Sequence, residues 1–335
     1  MQEFARVFAK KLAKNTNACY NIITMFLWIL IGIVTFIFIT VFGGAYICFR
    51  IIFYSARTKQ VDEYAIPKGE IYEPHREQMV DCMKKVRALP HTDVSITSFD
   101  NLTLRGKFFE YEKGAPIEIM FHGYRGDSIR DLSNGVFRAF ALGRSVLLVD
   151  QRAHGESDGK VITFGIHERH DCTAWVNFVI KHIDSNAKII LTGVSMGAAT
   201  VLLATAENLP KNVVGVLADC GYTSAKAVIQ KVVRDLKLPT AIVYPLAKLG
   251  AKLFGKFNLE ETSPIQAMQN CRLPVLFIHG DTDAFVPHAM SEQNYDACSA
   301  PKRLVTVRNA GHGLCYLIDS EKYLTALHEF FDPLL

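Results

Sequence analysis

The amino-acid sequence predicts an α/β protein whose mostly parallel sheet is covered by helices on both faces and is preceded by one transmembrane helix. Short apolar runs that begin near residues 116, 145, 187, 213, 274 and 302 alternate with helical stretches near 129, 169, 196, 289 and 320. Such alternation is typical of parallel strands joined by covering helices. Residues 15–49 contain no charged side chain, which sets them apart from the rest of the 335-residue chain.

The N-terminal region is predicted to contain a basic tail at residues 1–21, a transmembrane helix at residues 22–49 and a juxtamembrane linker at residues 50–91. The run from Ile22 to Phe42 is almost continuously apolar, and about 20 residues at 1.5 Å each span the ~30 Å hydrocarbon core. A buried core helix is disfavoured because soluble helices carry a polar face. A cleaved signal peptide competes, but the run is long for one and no convincing cleavage site follows it. We expect a retained single-pass anchor, and a chain that begins near Tyr54 is expected to be soluble.

The side of the membrane that holds the main domain is left undecided. Basic residues flank the span in equal number: Arg6, Lys10, Lys11 and Lys14 before it, and Arg50, Arg57, Lys59 and Lys68 after it. The eight cysteines, at positions 19, 48, 82, 172, 220, 271, 298 and 315, show no C-x-x-C pair and no metal-ligand spacing. Scattered thiols favour a reducing compartment, whereas the short basic tail favours the opposite placement.

The linker and the start of the main domain carry their own local patterns. Residues 73–87 predict one helix within the linker. Residues 92–112 alternate in polarity like two antiparallel strands, with Asp100-Asn101 as their turn. The main domain is therefore predicted at residues 92–335.

The run from Gly193 to Gly197 places Ser195 between an apolar strand-like segment and an apolar helical segment. A strand, a sharp turn and a helix in this order expose the serine hydroxyl at the carboxyl end of the strand. Glycine suits both flanking positions because a Cβ there would collide with neighbouring backbone. The five-residue pattern alone is weak evidence, since a tightly packed structural turn uses the same residues.

Three further segments strengthen the interpretation because they occur in a fixed order. Residues 116–124 form an apolar strand that runs into a His-Gly pair. Residues 273–287 form another strand, which ends in a loop that bears Asp281 and Asp283. His312 then lies between two glycines after a strand-like segment. The chain order is thus serine, aspartate, histidine.

These segments together resemble the α/β-hydrolase superfamily, specifically its esterase, lipase and aminopeptidase-like branch, with the pattern H-G-x-x-D-x-x-V-P followed by G-H. The resemblance covers about residues 92–331. It implies the α/β-hydrolase fold with a short helical lid. It also implies Ser195 as the nucleophile, His312 as the base and Asp283 as the acid of a catalytic triad.

The resemblance implies two further roles and leaves one alternative. The backbone N–H groups of Tyr124 and Met196 are expected to form the oxyanion hole. Asp219, at the end of the preceding strand, is a rival acid because some members take their carboxylate from that strand. Residues 150–157 resemble the D-x-R-G-H-G-x-S turn of these hydrolases, with Ala153 where glycine is usual. We interpret this turn as a structural loop beneath the site.

The lid is predicted at about residues 222–264. Residues 225–257 within it carry seven basic side chains and one acidic side chain, a local net charge of +6, interleaved with apolar residues. An ordinary amphipathic cap with a solvated polar face gives this pattern. So does a cap whose apolar face lines an acyl pocket and whose basic face rests on anionic lipid.

We therefore expect a membrane-anchored serine hydrolase that cleaves carboxylic esters or thioesters of small-molecule or lipid acyl substrates through an acyl-enzyme. One alternative is an aminopeptidase-like serine peptidase, for which only Asp235, Glu260 and Glu261 near the lid are available to pair with a substrate amine. The other is a catalytically inactive hydrolase-like binding module. No metal, cofactor or nucleic-acid signature is present, and the net charge is only +4.

Overall fold

An eight-stranded sheet lies at the centre of the fold, and its order is β1-β2-β4-β3-β5-β6-β7-β8. β1 pairs with β2 and β2 with β4 in antiparallel fashion, and all the other neighbours are parallel. The predicted mostly parallel sheet is thus confirmed. The strands are β1 (Thr92–Thr97), β2 (Thr103–Phe109), β3 (Ile117–Phe121), β4 (Ser145–Val149), β5 (Ile189–Val194), β6 (Val213–Asp219), β7 (Val275–Gly280) and β8 (Lys302–Val307).

The structure, a computed structural model, describes residues 1–55 and 63–335, without the side chains of residues 12, 13, 15 and 17–19. Two of the charges that flank the predicted span, Arg57 and Lys59, lie outside the described residues, as does the side chain of Cys19. Where their side chains are described, the cysteines form no disulfide.

The helices within the described residues are α1 (Gln2–Ile52), α2 (Arg76–Ala88), α3 (Ser128–Ala141), α4 (Glu168–Phe178), α5 (Met196–Ala204), α6 (Ala225–Asp235), α7 (Thr240–Leu253), α8 (Pro264–Met268), α9 (Ala289–Ala297), α10 (Cys315–Ile318) and α11 (Ser320–Phe331). A five-residue π-helical segment, Val179–Ile183, continues α4. The helices predicted near residues 129, 169, 196, 289 and 320 correspond to α3, α4, α5, α9 and α11.

Helices cover both faces of the sheet. Met120 and Leu148 pack in a cluster with residues of α2 and α3. Ile119 and Leu147, one position earlier on the same two strands, pack on the opposite face with residues of α4 and α5. Every residue of β3, β4 and β7 is buried. Because successive side chains of a strand point to opposite faces, strands covered on both sides read as continuous apolar runs.

The N-terminal helix is longer than the sequence indicated. α1 includes the predicted tail at residues 1–21, the predicted span at residues 22–49 and the first three residues of the predicted linker. No proline precedes Pro67 and no glycine precedes Gly32, so no residue in the tail interrupts a helix. The segment Tyr20–Ile52 is long and apolar enough to cross a membrane, and its most apolar window is not buried against the rest of the protein.

The last two turns of α1 are part of the main domain. Phe49 and Phe53 are buried in a cluster with residues of α6 and α7, at 6% and 0% exposure. A Cβ added at Gly250 of α7 would lie 2.4 Å from the carbonyl oxygen of Ala45 in α1, so the two helices touch backbone to backbone. After α1, the Ile162 N–H donates to the Phe53 carbonyl at 2.8 Å. A chain that begins near Tyr54 lacks these two core phenylalanines, which opposes the expectation that such a chain is soluble.

The predicted lid at about residues 222–264 contains α6 and α7, which lie between β6 and β7 in the chain. α6 is capped at its start by Ser224, whose hydroxyl accepts the Ala227 N–H. Val228, Ile229 and Val233 form its buried face. The lid therefore rests on the carboxyl end of the sheet, with α1 against its outer helix.

Candidate active site

Ser195 lies on the turn between β5 and α5, at the carboxyl end of the sheet. Its φ is +56°, in a region that residues other than glycine rarely adopt. A Cβ added at Gly193 would lie 2.1 Å from the carbonyl oxygen of Gly197, and one added at Gly197 would lie 1.9 Å from that of Phe121. Glycine is therefore required on both sides, and the strained turn is typical of a nucleophilic serine.

Three side chains from three separate loops form one hydrogen-bonded row. His312 Nε2 lies 2.9 Å from Ser195 Oγ, and His312 Nδ1 lies 2.7 Å from Asp283 Oδ2. With a neutral imidazole, Nδ1–H donates to the carboxylate and Nε2 accepts the serine hydroxyl. This arrangement suits the transfer of the serine proton to His312 during nucleophilic attack.

Asp283 is held as a carboxylate by its surroundings. Its Oδ1 accepts the N–H groups of Phe285 and Val286, at 2.8 and 2.9 Å. Burial alone would raise the pKa of Asp283, but hydrogen bonds from His279 and His312 outweigh burial and hold the pKa well below its usual range. Asp283 is thus ionised at neutral pH and can accept the Nδ1–H of His312.

His279 is a site residue that sequence reasoning did not single out. Its Nε2 lies 3.1 Å from Asp283 Oδ2 and 2.9 Å from the Val286 carbonyl, and its Nδ1 lies 2.7 Å from Ser291 Oγ. The ring is completely buried. His279 is the histidine of the H-G-x-x-D pattern, so the pattern contained it, but only the packed loop shows that it orients the acid.

Asp219, the rival acid, occupies a different environment. Its Oδ2 accepts the Tyr323 hydroxyl at 2.9 Å. Burial raises the pKa of Asp219, which favours the protonated carboxyl over the carboxylate that a triad requires. Asp283 already occupies Nδ1 of His312. The geometry therefore favours Asp283 as the partner of His312.

The loop after β3 lies beside the serine. A Cβ added at Gly123 would lie 3.6 Å from Ser195 Cβ. In the described part of the chain, the backbone N–H groups of Tyr124 and Met196 donate to no protein acceptor. The two residues predicted for the oxyanion hole thus carry unengaged donors next to the nucleophile, as stabilisation of a developing oxyanion demands.

Gln151 fixes this loop from below. Its backbone N–H donates to His122 Nε2 at 3.0 Å, and its side-chain amide donates to the His122 carbonyl at 2.6 Å. His122 Nδ1 lies 2.7 Å from the Gly123 carbonyl. Thr200 of α5 donates to Gln151 Oε1 at 2.9 Å. The Gln151 side chain therefore links the loop after β3 to α5, the helix that follows Ser195.

Residues 150–157 form a loop beneath the site, in agreement with our structural interpretation of that turn. Asp150 accepts the N–H groups of Ser128 and Glu156, each at 2.9 Å. His154 Nε2 accepts the Arg125 N–H at 3.0 Å. Burial, reinforced by repulsion from nearby groups, lowers the pKa of His154 well below its usual range, so the imidazole is neutral and accepts this bond. Ala153, where glycine is usual, has a φ of +64°.

The loop after β3 also contacts α1 directly. The Tyr124 hydroxyl donates to the Ile52 carbonyl at 2.7 Å. The Arg125 guanidinium donates to the Ile51 carbonyl at 2.6 Å and to the Tyr54 carbonyl at 3.3 Å. A cation at the C-terminal end of a helix is favoured by unpaired carbonyls and by the helix dipole. The end of α1 is therefore bonded to the loop that borders the nucleophile.

Among the described residues, one group of possible metal ligands lies together, namely Cys220, Asp283 and His312, with ligand atoms within 4.8 Å of one another. Asp283 and His312 already belong to the row that includes Ser195. Burial raises the pKa of the Cys220 thiol well above its usual value, which opposes the thiolate that a metal requires. We therefore assign no metal to this group.

Known proteins resemble this chain in sequence and in fold. A sequence model of the Alpha/beta hydrolase family matches residues 119–264. Protein YqkD of Bacillus subtilis is 30% identical over 192 residues, which is 57% of this chain and 63% of YqkD. The chain thus covers just under two thirds of the length of that relative.

Solved structures share the fold. An esterase of Pyrococcus furiosus, Pf2001, superposes with a TM-score of 0.62 at 24% identity, covering 75% of this chain and 93% of the esterase. An acylaminoacyl peptidase of Pyrococcus horikoshii superposes with a TM-score of 0.54 at 16% identity, covering 75% of this chain and 43% of the peptidase. With the parallel sheet and the serine turn described above, these matches show that the chain has the α/β-hydrolase fold.

Proposed function

We propose that this protein is a membrane-anchored serine hydrolase that cleaves carboxylic esters or thioesters of acyl groups. One observation carries the proposal. It is the hydrogen-bonded row of Ser195, His312 and Asp283, next to the unengaged N–H groups of Tyr124 and Met196.

In this proposal Ser195 Oγ attacks the acyl carbonyl carbon while His312 Nε2 takes the serine proton. The carbonyl oxygen becomes an oxyanion that the N–H groups of Tyr124 and Met196 stabilise, at about 3 kcal/mol per donor. The tetrahedral intermediate collapses, and His312 gives its proton to the departing alcohol or thiol. Water activated by His312 then releases the acid from the acyl-enzyme.

An acyl substrate fits the surroundings of the serine. The residues that pack around Met196 beneath the lid are apolar or aromatic, among them Phe164, Tyr222 and Ile229. On the other side of the row, the half-exposed Phe285 ring lies 5.1 Å from the His312 ring. Apolar surroundings of this kind favour a hydrocarbon chain through dispersion and apolar burial.

α1 supports the anchor. Its window of highest hydropathy lies on no other part of the protein, and leaving an apolar helix of this length in water would be costly. A signal sequence passes the same test of length and composition, so alkaline carbonate extraction of the full-length chain from membranes checks the anchor. Retention in the membrane pellet is expected, and release into the supernatant would contradict it.

Labelling by a fluorophosphonate tests the chemistry, because such reagents phosphonylate an activated serine. We expect the full-length chain to be labelled and Ser195→Ala not to be. The same substitution should lower kcat for p-nitrophenyl esters by about a millionfold. The exposed Ser185 supplies the matched control, Ser185→Ala, which should keep both properties. Labelling that persists in Ser195→Ala would show that another residue is the nucleophile.

Two alternatives are less well supported. A peptidase that recognises a substrate amine needs free carboxylates near the lid, but Asp235 pairs with Lys231, Glu260 with Lys248 and Glu261 with Arg169. A binding module without activity has no need of the strained Ser195 turn or its hydrogen-bonded partners. Release of p-nitrophenol but not of a free amino acid from peptides would distinguish the ester hydrolase from both.

A further inference from the structure

α7 has an apolar stripe on the side that contacts the membrane helix. Ile242, Leu246, Leu249 and Leu253 recur at helical spacing along it. Ile242 and Leu253, at the two ends of the stripe, are 60% and 39% exposed. Between them Leu246 lies against α1, since a Cβ added at Gly44 would be 3.1 Å from Leu246 Cδ1. The exposed ends of the stripe therefore flank α1 where it leaves the domain.

The contacts place α7 at the level where the apolar run of α1 ends. The Phe254 ring at the end of α7 lies 5.9 Å from the Phe42 ring and 5.8 Å from the Phe49 ring. Gly250, one turn earlier, meets α1 at Ala45 and Phe49. The contacts of Leu246, Gly250 and Phe254 thus fall within residues 42–49 of α1. Once residues 22–42 cross a bilayer, α7 lies at the boundary between hydrocarbon and water.

The turn between α6 and α7 extends the same surface. Leu236 and Leu238 are 64% and 47% exposed. Lys237 between them is exposed, with a φ of +55°. Clustered exposed leucines are uncommon on a soluble monomer and mark a surface that binds something apolar.

Unpaired basic side chains surround these apolar residues. Arg234, Lys237, Lys252 and Lys256 are exposed, and within the described residues none of them has an acidic partner. The other three basic residues of the lid differ, because Lys226 and Lys248 pair with Glu260 and Lys231 pairs with Asp235. The free charge of the lid is therefore concentrated where its leucines are exposed.

We propose that this lid face, defined as Arg234 to Leu238 together with Ile242, Leu253 and the lysines beside Leu253, lies on an anionic lipid surface. Its leucines enter the headgroup layer, and its four unpaired cations contact lipid phosphates. The proposal rests on the proposed anchor, because α1 is what brings α7 to the bilayer. Of the seven basic residues that give residues 225–257 their +6 charge, three are therefore paired with acids and four belong to the proposed lipid-binding face.

Tryptophan fluorescence in nanodiscs tests the contact with the full-length chain. Leu238→Trp is introduced together with Trp28→Phe, which removes the native tryptophan of the span. The protein is reconstituted in phosphatidylcholine alone, or with about one third phosphatidylserine. We expect the introduced tryptophan to be quenched by acyl-brominated lipid several-fold more strongly in the anionic discs. Added salt should reduce this difference.

Charge substitutions supply matched controls. Gln at Arg234, Lys237, Lys252 and Lys256 should abolish the difference between the two kinds of disc. The difference should be preserved by Gln at four exposed basic residues near the amino ends of the strands, namely Lys181, Lys188, Lys211 and Arg272. Equal, weak quenching in both discs would overturn the lid-face proposal even if alkaline carbonate leaves the chain in the membrane. Extraction by carbonate would instead overturn the anchor. If the lid-face substitutions and the control substitutions reduce the quenching equally, the proposed contact between the lid face and lipid is rejected.

Discussion

At the scale of single residues, three histidines around the site have different roles. His312 alone contacts both the nucleophile and the acid. His279 orients the carboxylate of Asp283, and His154 accepts the N–H of Arg125 in the oxyanion loop. In the proposed mechanism only His312 exchanges a proton with substrate, so the other two are positioning residues. Their contribution is a fixed geometry of acid and loop.

The identity of the acid is tested by two asparagine substitutions. Asp283→Asn should lower kcat for p-nitrophenyl esters by about ten-thousandfold, because His312 loses the partner that fixes its tautomer. Asp219→Asn should change kcat far less, since Asp219 contacts Tyr323 and is held toward its neutral form. The reversed ranking in steady-state assays of the two variants would transfer the acid role to Asp219.

Gln151→Leu tests the support of the oxyanion loop. The substitution removes the donor to the His122 carbonyl and the acceptor of the Thr200 hydroxyl, both in the interior. A buried group left without its partner costs about 1–3 kcal/mol, so chemical denaturation should show a loss of this size. We also expect kcat to fall more than KM rises, because the loop acts mainly on the transition state. Gln269→Leu, at an exposed position, is the control, and equal effects of the two would remove the assigned role.

At the scale of elements, the end of α1 is the part whose role changes most when the structure is known. A chain that begins at Tyr54 loses Phe49 and Phe53, and removal of a buried phenylalanine side chain costs about 3–5 kcal/mol. It also leaves Tyr124 and Arg125 without the carbonyls of Ile51 and Ile52. We expect this chain to aggregate or to unfold at a much lower temperature.

A chain that begins at Phe42 is the matched control, because it lacks most of the apolar span yet keeps residues 42–52 of α1, which pack on the lid. It should show a cooperative thermal transition and hydrolyse short-chain esters. Equal stability and activity of the two shortened chains would mean that the end of α1 is dispensable for the fold.

The strands were predictable because β3 to β7 are buried on both faces and therefore consist of nearly continuous apolar residues. Ser195, Asp283 and His312 were predictable because the turns that expose them need glycine or a fixed loop pattern. The docking of Phe49 was not, since an apolar residue that faces lipid and one that faces a lid look alike in sequence. Gln151 was equally hidden, because its role comes from contacts with residues 29 and 49 positions away.

At the scale of the whole molecule, three carboxylates stabilised in the folded state lie in three separate regions. Glu118 of β3 is fully buried between Arg138 and Arg144, at 2.6 and 2.9 Å. Burial would raise the pKa of Glu118, but the two guanidinium groups outweigh it and lower the pKa. The pKa of Asp283, in the active site, is lowered likewise. The sheet, the active site and the lid therefore each contain a carboxylate whose protonation at low pH should destabilise the fold.

The lid carboxylate gives the clearest acid titration. Hydrogen bonds from Lys248 and Tyr244 lower the pKa of Glu260 to about 2. A carboxyl with a lowered pKa adds stability that is fully present above its unfolded pKa of about 4 and is lost as pH falls through the folded pKa. Asp219 and Asp171 act in the opposite direction, because burial raises their pKa, but the carboxyls with a lowered pKa outnumber them. The free energy of unfolding should therefore fall as pH drops below about 5.

Denaturant unfolding of the full-length chain in micelles, followed by the fluorescence of buried Trp175 from neutral pH to about pH 3, measures this dependence. Glu260→Gln should cost at most about 1 kcal/mol at pH 7, because its ion pairs are partly exposed and screened by solvent. The same variant should lose less stability than the native chain between about pH 4 and pH 3, since one carboxylate with a lowered pKa is gone. The free energy of unfolding of the native chain could instead stay level or rise on acidification. That result would show that protonation of carboxyls with a raised pKa, such as Asp219, stabilises the fold more than protonation of Glu118, Asp283 and Glu260 destabilises it. A parallel loss in the native chain and the variant would mean that Glu260 does not couple the lid to acid unfolding.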